Sequence, residues 1–432
     1  MNPNAPNQRP GGTAPMPPPP PPAPMGQYPP LGAPQDYTVP AAPAYLPPPP
    51  PPPVARYAPP VVATPAGQGA QQGQAPAQGG AGATSGAKLA PTWPAALVLY
   101  LLAPIVAELL TGSTPPLAFI NPLTLFFLAA IYGTSALLGR EIVRRRQLGW
   151  GSVVLLGAAF GVLNEGLIVT SWTNPYWPDV LSLGAYSRAW GINWYWAEGL
   201  TVFHAIISFT IPIILVEAIF PSVAERPWLG KWSLRALVVW LALVAVAGFV
   251  LVGLSYRSKG YTPPLPQMLA ILAIGVAFVA LAVYPIRLRL RKSSAPVIVA
   301  RPAPRVGKLR VYSFLITVLF FILHWGAARI IHSAPVLMAL MGAVVLFAVW
   351  RVHRWSGALG WGARQRLALA SGALFFFILL APASEFLSHP AGRDEQYLTA
   401  VALVVFIGLI VLARYARHTE AKRLGANTNA IT

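Results

Sequence analysis

The chain has 432 residues, of which 55% are hydrophobic and only 10% charged, with a formal net charge of +19 and no cysteine. That balance excludes a soluble multidomain protein, and the missing thiols exclude disulfides, thiolate metal sites and a cysteine nucleophile. The positive charge gathers at the ends of apolar runs, where topology and anionic headgroups account for it, so nucleic acid is excluded as a partner and the lipid bilayer takes its place.

Residues 1–91 read as a disordered tail. The stretches MPPPPPPAP at 16–24 and LPPPPPPP at 46–53 favour polyproline II, and the Gly/Gln/Ala-rich segment that follows has too little apolar surface to fold. The tail lacks the basic start and apolar core of a signal peptide. It serves either as a plain tether or as a ligand for a cytoplasmic polyproline-binding partner, with Tyr28, Tyr37, Tyr45 and Tyr57 as anchors.

Residues 92–415 are expected to form an all-α polytopic transmembrane helix bundle of about ten spans, followed by a short basic C-terminal tail at 416–432. The spans fall at about 95–111, 122–139, 151–171, 192–220, 233–254, 265–286, 309–328, 334–350, 367–384 and 398–415. With the tail in the cytoplasm, the inner segments carry 23 Lys and Arg and the outer ones five. This asymmetry follows the positive-inside rule and predicts that both termini are cytoplasmic. REIVRRR at 140–146 and RLRLRK at 287–292 are the densest inner runs. The outer segment 173–196 holds four tryptophans and three tyrosines with hardly any charge, which suits an interfacial anchor or a cap over a cavity.

Several polar groups interrupt these spans. Counting helix rise places Glu108, Glu165, Glu198, His204 and His324 in one zone, the outer half of the membrane. A lone ionised carboxylate in hydrocarbon is costly, so each must be protonated, paired or wetted. Glu165, within GVLNEGLIVTSW at 161–172, is the deepest acid, and pairings of Glu165 with His204 or Glu108 with His324 are both open. Asn164 is expected to face another side of its helix. Glu217, near an inner span end, is expected to snorkel or to pair with basic loop residues. Pro104, Pro212 and Pro382 each free a backbone carbonyl. The bland alternative is that the polar set is interhelical glue, at about 1 kcal/mol per hydrogen bond.

Neither H-E-x-x-H nor a Gly-rich nucleotide loop occurs, so no motif indicates a cofactor, although Glu and His are donors that a divalent metal accepts. Three uses stay open, and no catalytic residue is assigned. The first is a small-solute or ion transporter or permease built on the Glu/His cluster. The second is a metal-dependent intramembrane hydrolase or protease. The third is a non-catalytic scaffold or sensor that recruits partners through the tail.

The glutamate on one span and Phe203–His204 on the next distantly resemble the CAAX-processing and bacteriocin-processing intramembrane proteases. That family has a double glutamate and a downstream arginine where this chain has Asn164–Glu165 followed by Ser171–Trp172. LLAPIVAELLTGSTPP, REIVRRR, GVLNEGLIVTSWTNPYWPD and FHAIISFTIPIILVE look like stretches of uncharacterised bacterial polytopic proteins. That resemblance implies a bacterial inner (cytoplasmic) membrane setting.

Overall fold

Hydrocarbon offers the backbone no hydrogen-bond partner, so an apolar chain crossing it must satisfy its own amides, and helices do this. The computed structural model describes residues 90–181, 183–284, 301–388 and 396–429, with the side chains of 181 and 422–429 left aside. The polyproline tail, RLRLRK and Arg393 therefore lie outside the described residues.

Among the described residues nine helices are long and apolar enough to cross a membrane. A shorter apolar helix, α1 (Trp93–Leu109), stands at the place of the first of the ten expected spans. At 1.5 Å per residue it is about 25 Å long, short of the ~30 Å core. The nine are α2 (Pro122–Arg145), α3 (Trp150–Ile168), α4 (Trp194–Ile219), α5 (Lys231–Arg257), α6 (Leu265–Val283), α7 (Val306–Arg329), α8 (Ala334–Ser356), α9 (Ala363–Leu387) and α10 (Leu398–Ala421). The last helix continues to Asn429. Between α3 and α4 the aromatic segment forms a short helix, Pro178–Leu181, and a small hairpin pairing Arg188 with Asn193 and Ala189 with Ile192.

The core lies around α4. On one side its Phe209, Ile213 and Val216 pack with Leu99 of α1, Tyr132 of α2 and Phe160 of α3. On the other, Phe203, Ile207 and Ile211 pack with Phe321 of α7 and Phe377 of α9. By contrast α5 buries only Val244, as suits a helix whose surroundings are lipid.

Glycines set the closest helix contacts. A Cβ at Gly133 of α2 would lie 2.2 Å from the Tyr100 carbonyl oxygen of α1. That carbonyl is the one deprived of its helical donor by Pro104, so the proline and the glycine together let the two backbones touch. The basic segments meet at one end of the bundle, hereafter the basic end. There Arg366 of α9 lies 4.9 Å from the Trp150 ring of α3, and Arg146 lies 5.8 Å from the Tyr284 ring.

Candidate functional site

Five of the helices contain a π-helical stretch: Ile105–Leu109 in α1, Ala129–Gly133 in α2, Asn164–Ile168 in α3, His204–Thr210 in α4 and Ile322–Gly326 in α7. Each carries a polar side chain: partly buried Glu108 in α1, and buried Tyr132, Asn164 with Glu165, His204 with Ser208, and His324 in the other four. A π turn inserts one residue into the α ladder and is frequent at functional sites. Local hydroxyls meet the disturbed carbonyls. Thr111 Oγ1 donates to Ala107, Thr210 Oγ1 to Ala205, and Tyr195 Oη to Leu323 and His324.

Glu165 and His204 meet at the centre of this set. Gly157, Gly161 and Glu165 follow one another at four-residue steps, so they lie along one face of α3. A Cβ at Gly157 would fall 2.9 Å from Ala205 Cα, and one at Gly161 would fall 2.8 Å from His204 Cβ. The two glycines therefore seat α3 directly on the π segment of α4, and the third step delivers the carboxylate. His204 Nε2 and Glu165 Oε1 are 3.1 Å apart, and His204 Nδ1 lies 3.1 Å from Ser208 Oγ. Asn164 Nδ2 donates to Glu165 Oε1 at 3.1 Å, and Ser171 Oγ donates to Oε2 at 2.7 Å.

Glu108 lies beside this group without a direct hydrogen bond to it. Tyr132 Oη and Thr114 Oγ1, the latter at 2.8 Å, donate to its carboxylate. Tyr132 is the link between the two carboxylates, since its ring centroid is 5.9 Å from that of His204. Phe160 and Phe203 close edge-on against the imidazole at 5.5 and 5.2 Å.

The remaining two expected members stand apart. His324 stacks between Trp196 and Phe320 at 5.5 and 5.9 Å, above Gly199, where a Cβ would come within 2.0 Å of its ring. Neither ring nitrogen of His324 has a hydrogen-bond partner among the described residues, and Glu108 is held by Tyr132 and Thr114 rather than paired with His324. Glu198 Oε2 is buried without a hydrogen-bond partner among the described residues. Asn164 does not serve a separate contact on another side of the helix: its amide donates to the neighbouring Glu165 carboxylate. Among the described residues no group of three or more His, Cys, Asp or Glu side chains could hold a metal ion.

A second polar centre occupies the basic end. Arg140 is 1% exposed and its Nε donates to Glu217 at 3.1 Å. Its other nitrogens donate to Glu141 at 3.2 Å, to the Ala224 carbonyl at 2.6 Å and to the Arg226 carbonyl at 3.2 Å. The Trp228 ring covers its guanidinium at 3.3 Å. Arg144 donates to Glu217 at 3.0 and 2.5 Å. Glu217 therefore pairs with basic residues of the 140–146 run, which stand on α2. The 221–230 segment contributes carbonyls and the Trp228 amide, which donates to Glu141 at 2.6 Å.

Residues 97–430 match the model of an uncharacterised membrane protein family, one named from an archaeal genome. The chain belongs to this family. The match corrects two expectations. It replaces the resemblances to bacterial polytopic proteins and to CAAX-processing proteases, and it removes the basis for a bacterial inner-membrane assignment. The physical reason is that apolar spans share a restricted alphabet, so short stretches such as LLAP or FH match across unrelated membrane families. No curated protein and no solved structure matches the chain.

Sequence reasoning about this family member missed Tyr132, Ser208, Arg140 and Glu141. Gly157 and Gly161 were the available signal for one contact, since small residues four apart on a span mark a close helix interface. Arg140 and Glu141 were masked by the topological reading of REIVRRR. Tyr132 and Ser208 have no sequence signal beyond being polar in apolar surroundings.

Proposed function

We propose that the protein is a proton-coupled permease for a small solute or ion, with Glu165 and His204 as its proton-binding pair. The observation that carries this reading is the unbroken chain Ser208, His204, Glu165, Ser171, every link of which is 3.1 Å or shorter. A neutral imidazole protonated at Nε2 donates to Glu165 and accepts from Ser208. When both nitrogens carry protons, the Ser208 hydroxyl turns to accept. One proton can thus be gained or lost with little movement of the heavy atoms, and Asn164 serves the carboxylate in both states.

Two closures flank the pair, as an occluded transporter requires. On the aromatic side Trp196 Nε1 donates to Ser171 Oγ at 3.2 Å, and Trp172 and Asn193 are buried above it. On the basic side the Arg140, Arg144 and Glu217 network lies about 20 Å away along α4, thirteen residues from His204. Opening one closure at a time would give alternating access to the pair. The π segments supply places where helices can change register at low cost.

The test is proton movement in liposomes that hold a pH-sensitive dye and across which a potassium diffusion potential is imposed. The wild type is expected to carry protons inward, Glu165→Gln and His204→Gln to abolish this, and Glu198→Gln to retain it. Wild-type liposomes no faster than protein-free ones, or a Glu165→Gln variant at the wild-type rate, contradict the reading.

A hydrolytic reading has one observation in its favour: hydroxyl, imidazole and carboxylate follow in the order of a Ser-His-acid relay. Ser208 is 1% exposed within α4, however, which gives a substrate no approach. No labelling of Ser208 by a fluorophosphonate probe is expected, and labelling lost in Ser208→Ala would turn the assignment toward hydrolysis.

A further inference from the structure

At the basic end, away from Glu165 and His204, a groove of about 700 Å³ opens between α7, α9 and α10. One wall of the groove is the close contact of two of these helices: Gly372 of α9 brings its backbone onto α7, where a Cβ would lie 2.2 Å from the Arg310 carbonyl oxygen. Ser313 of α7 anchors the same contact by donating to the Leu369 carbonyl at 2.5 Å. The groove is walled by apolar side chains, among them Phe314, Phe375 and Phe406, and its mouth carries Arg310, Arg364, Arg414 and Arg417. From Arg364 to Phe375 is eleven residues along α9, so the apolar part reaches about 16 Å inward, about half of the ~30 Å core.

Charge decides the occupant. Arg364 is neutralised by Glu420 at 2.8 Å, whereas Arg310, Arg414 and Arg417 make no ion pair among the described residues. Three uncompensated guanidinium groups at the rim of an apolar slot are complementary to a molecule with an anionic head and a long apolar chain. Basic pockets between transmembrane helices take acidic lipid headgroups in this way, and arginine forks match phosphate geometry. We infer that this groove is a binding site for one anionic phospholipid, its phosphate on Arg310, Arg414 and Arg417 and an acyl chain along Phe314, Phe375 and Phe406. The site bridges α7, α9 and α10, so its occupant ties the last two spans to the helix that carries His324.

Native mass spectrometry of the purified protein, titrated with phosphatidylglycerol or phosphatidylcholine, tests this. The wild type should retain one phosphatidylglycerol at least about 10-fold more tightly than phosphatidylcholine, since each arginine near a headgroup contributes roughly a fewfold to tenfold. The triple variant Arg310→Gln, Arg414→Gln, Arg417→Gln should lose that preference, and each single variant should lose part of it. Ala413→Trp, which fills the groove and keeps every charge, should lose the bound lipid. Arg351→Gln with Arg354→Gln, on α8 at the same end and outside the groove, should change nothing. Variants are compared once circular dichroism shows wild-type helicity, and the single arginine variants, all at exposed positions, carry the test if the triple variant does not fold. Retained preference in the arginine variants overturns the site. So does retained lipid in Ala413→Trp, which would mean adsorption to surface charge, and so does displacement by inorganic phosphate, which would mean a free-anion site.

Discussion

Glu217 is 6% exposed and accepts three charge-assisted hydrogen bonds, one from Arg140 and two from Arg144, at 3.1, 3.0 and 2.5 Å. Glu217→Gln removes the charge and turns an NH₂ group toward guanidinium donors. Breaking a buried ion pair from one side typically costs about 3–5 kcal/mol, because the other charge is left uncompensated. Here the loss should fall near the lower bound, about 3 kcal/mol, since Arg140 keeps Glu141, two carbonyls and the face of Trp228. Arg144 keeps Glu225, whose side chain is 74% exposed, and the Trp150 ring at 5.9 Å. Replacing Arg144 and Glu217 together by Met leaves no orphaned partner between them. The double variant should therefore be more stable than the sum of the single changes by about 1–3 kcal/mol. Denaturant titration in a mild detergent, followed by tryptophan emission, measures both quantities. A Glu217→Gln variant within about 0.5 kcal/mol of wild type, or strict additivity in the double variant, would refute the view that this network holds the basic end shut.

Gly161→Val should force α3 off α4, costing about 1–3 kcal/mol in the same titration and abolishing proton movement, because the clash is with the His204 Cβ itself. Tyr132→Phe should leave Glu108 with Thr114 as its one side-chain donor among the described residues and cost about 1–3 kcal/mol, whereas Ser208→Ala should cost about 1 kcal/mol and slow proton movement; wild-type stability in both variants would contradict the network. Tyr261, in the turn between α5 and α6, is buried against Thr173 at 2.7 Å, and burial raises its hydroxyl above the usual phenol value. The raised folded value means that its contribution to stability is complete below about pH 10 and is lost as pH rises through the folded value, so Tyr261→Phe should flatten the alkaline limb of the stability profile.

The membrane class was plain in composition, because repeated apolar runs have one structural solution in lipid. The gathering of basic segments at one end was equally legible in the Lys and Arg asymmetry. The depth of Glu165 and His204 could be counted along their spans, but depth fixes only one coordinate. Rotation about the helix axis depends on the π turns at Asn164–Ile168 and His204–Thr210, each of which adds a residue to the repeat and re-aims everything beyond it. Asn164 joins Glu165 because its short amide side chain reaches the neighbouring carboxylate, a contact that counting faces does not reveal. His324 was grouped with the cluster because it shares its depth, yet its ring faces Trp196 and Phe320 on another side of the bundle. Arg140 shows the converse: a residue read as a topological charge is one of the most buried side chains in the protein.

In the proposed permease one proton is exchanged at the His204 imidazole, against a Glu165 carboxylate held by Asn164 and Ser171. Infrared difference spectra between acidic and alkaline samples of the reconstituted protein, wild type against His204→Gln and Glu165→Gln, test that most directly. Imidazole ring bands that differ between the two conditions in the wild type, are absent from His204→Gln and are altered in Glu165→Gln are the expected result. Identical difference spectra in all three proteins would contradict it and leave the pair as interhelical glue.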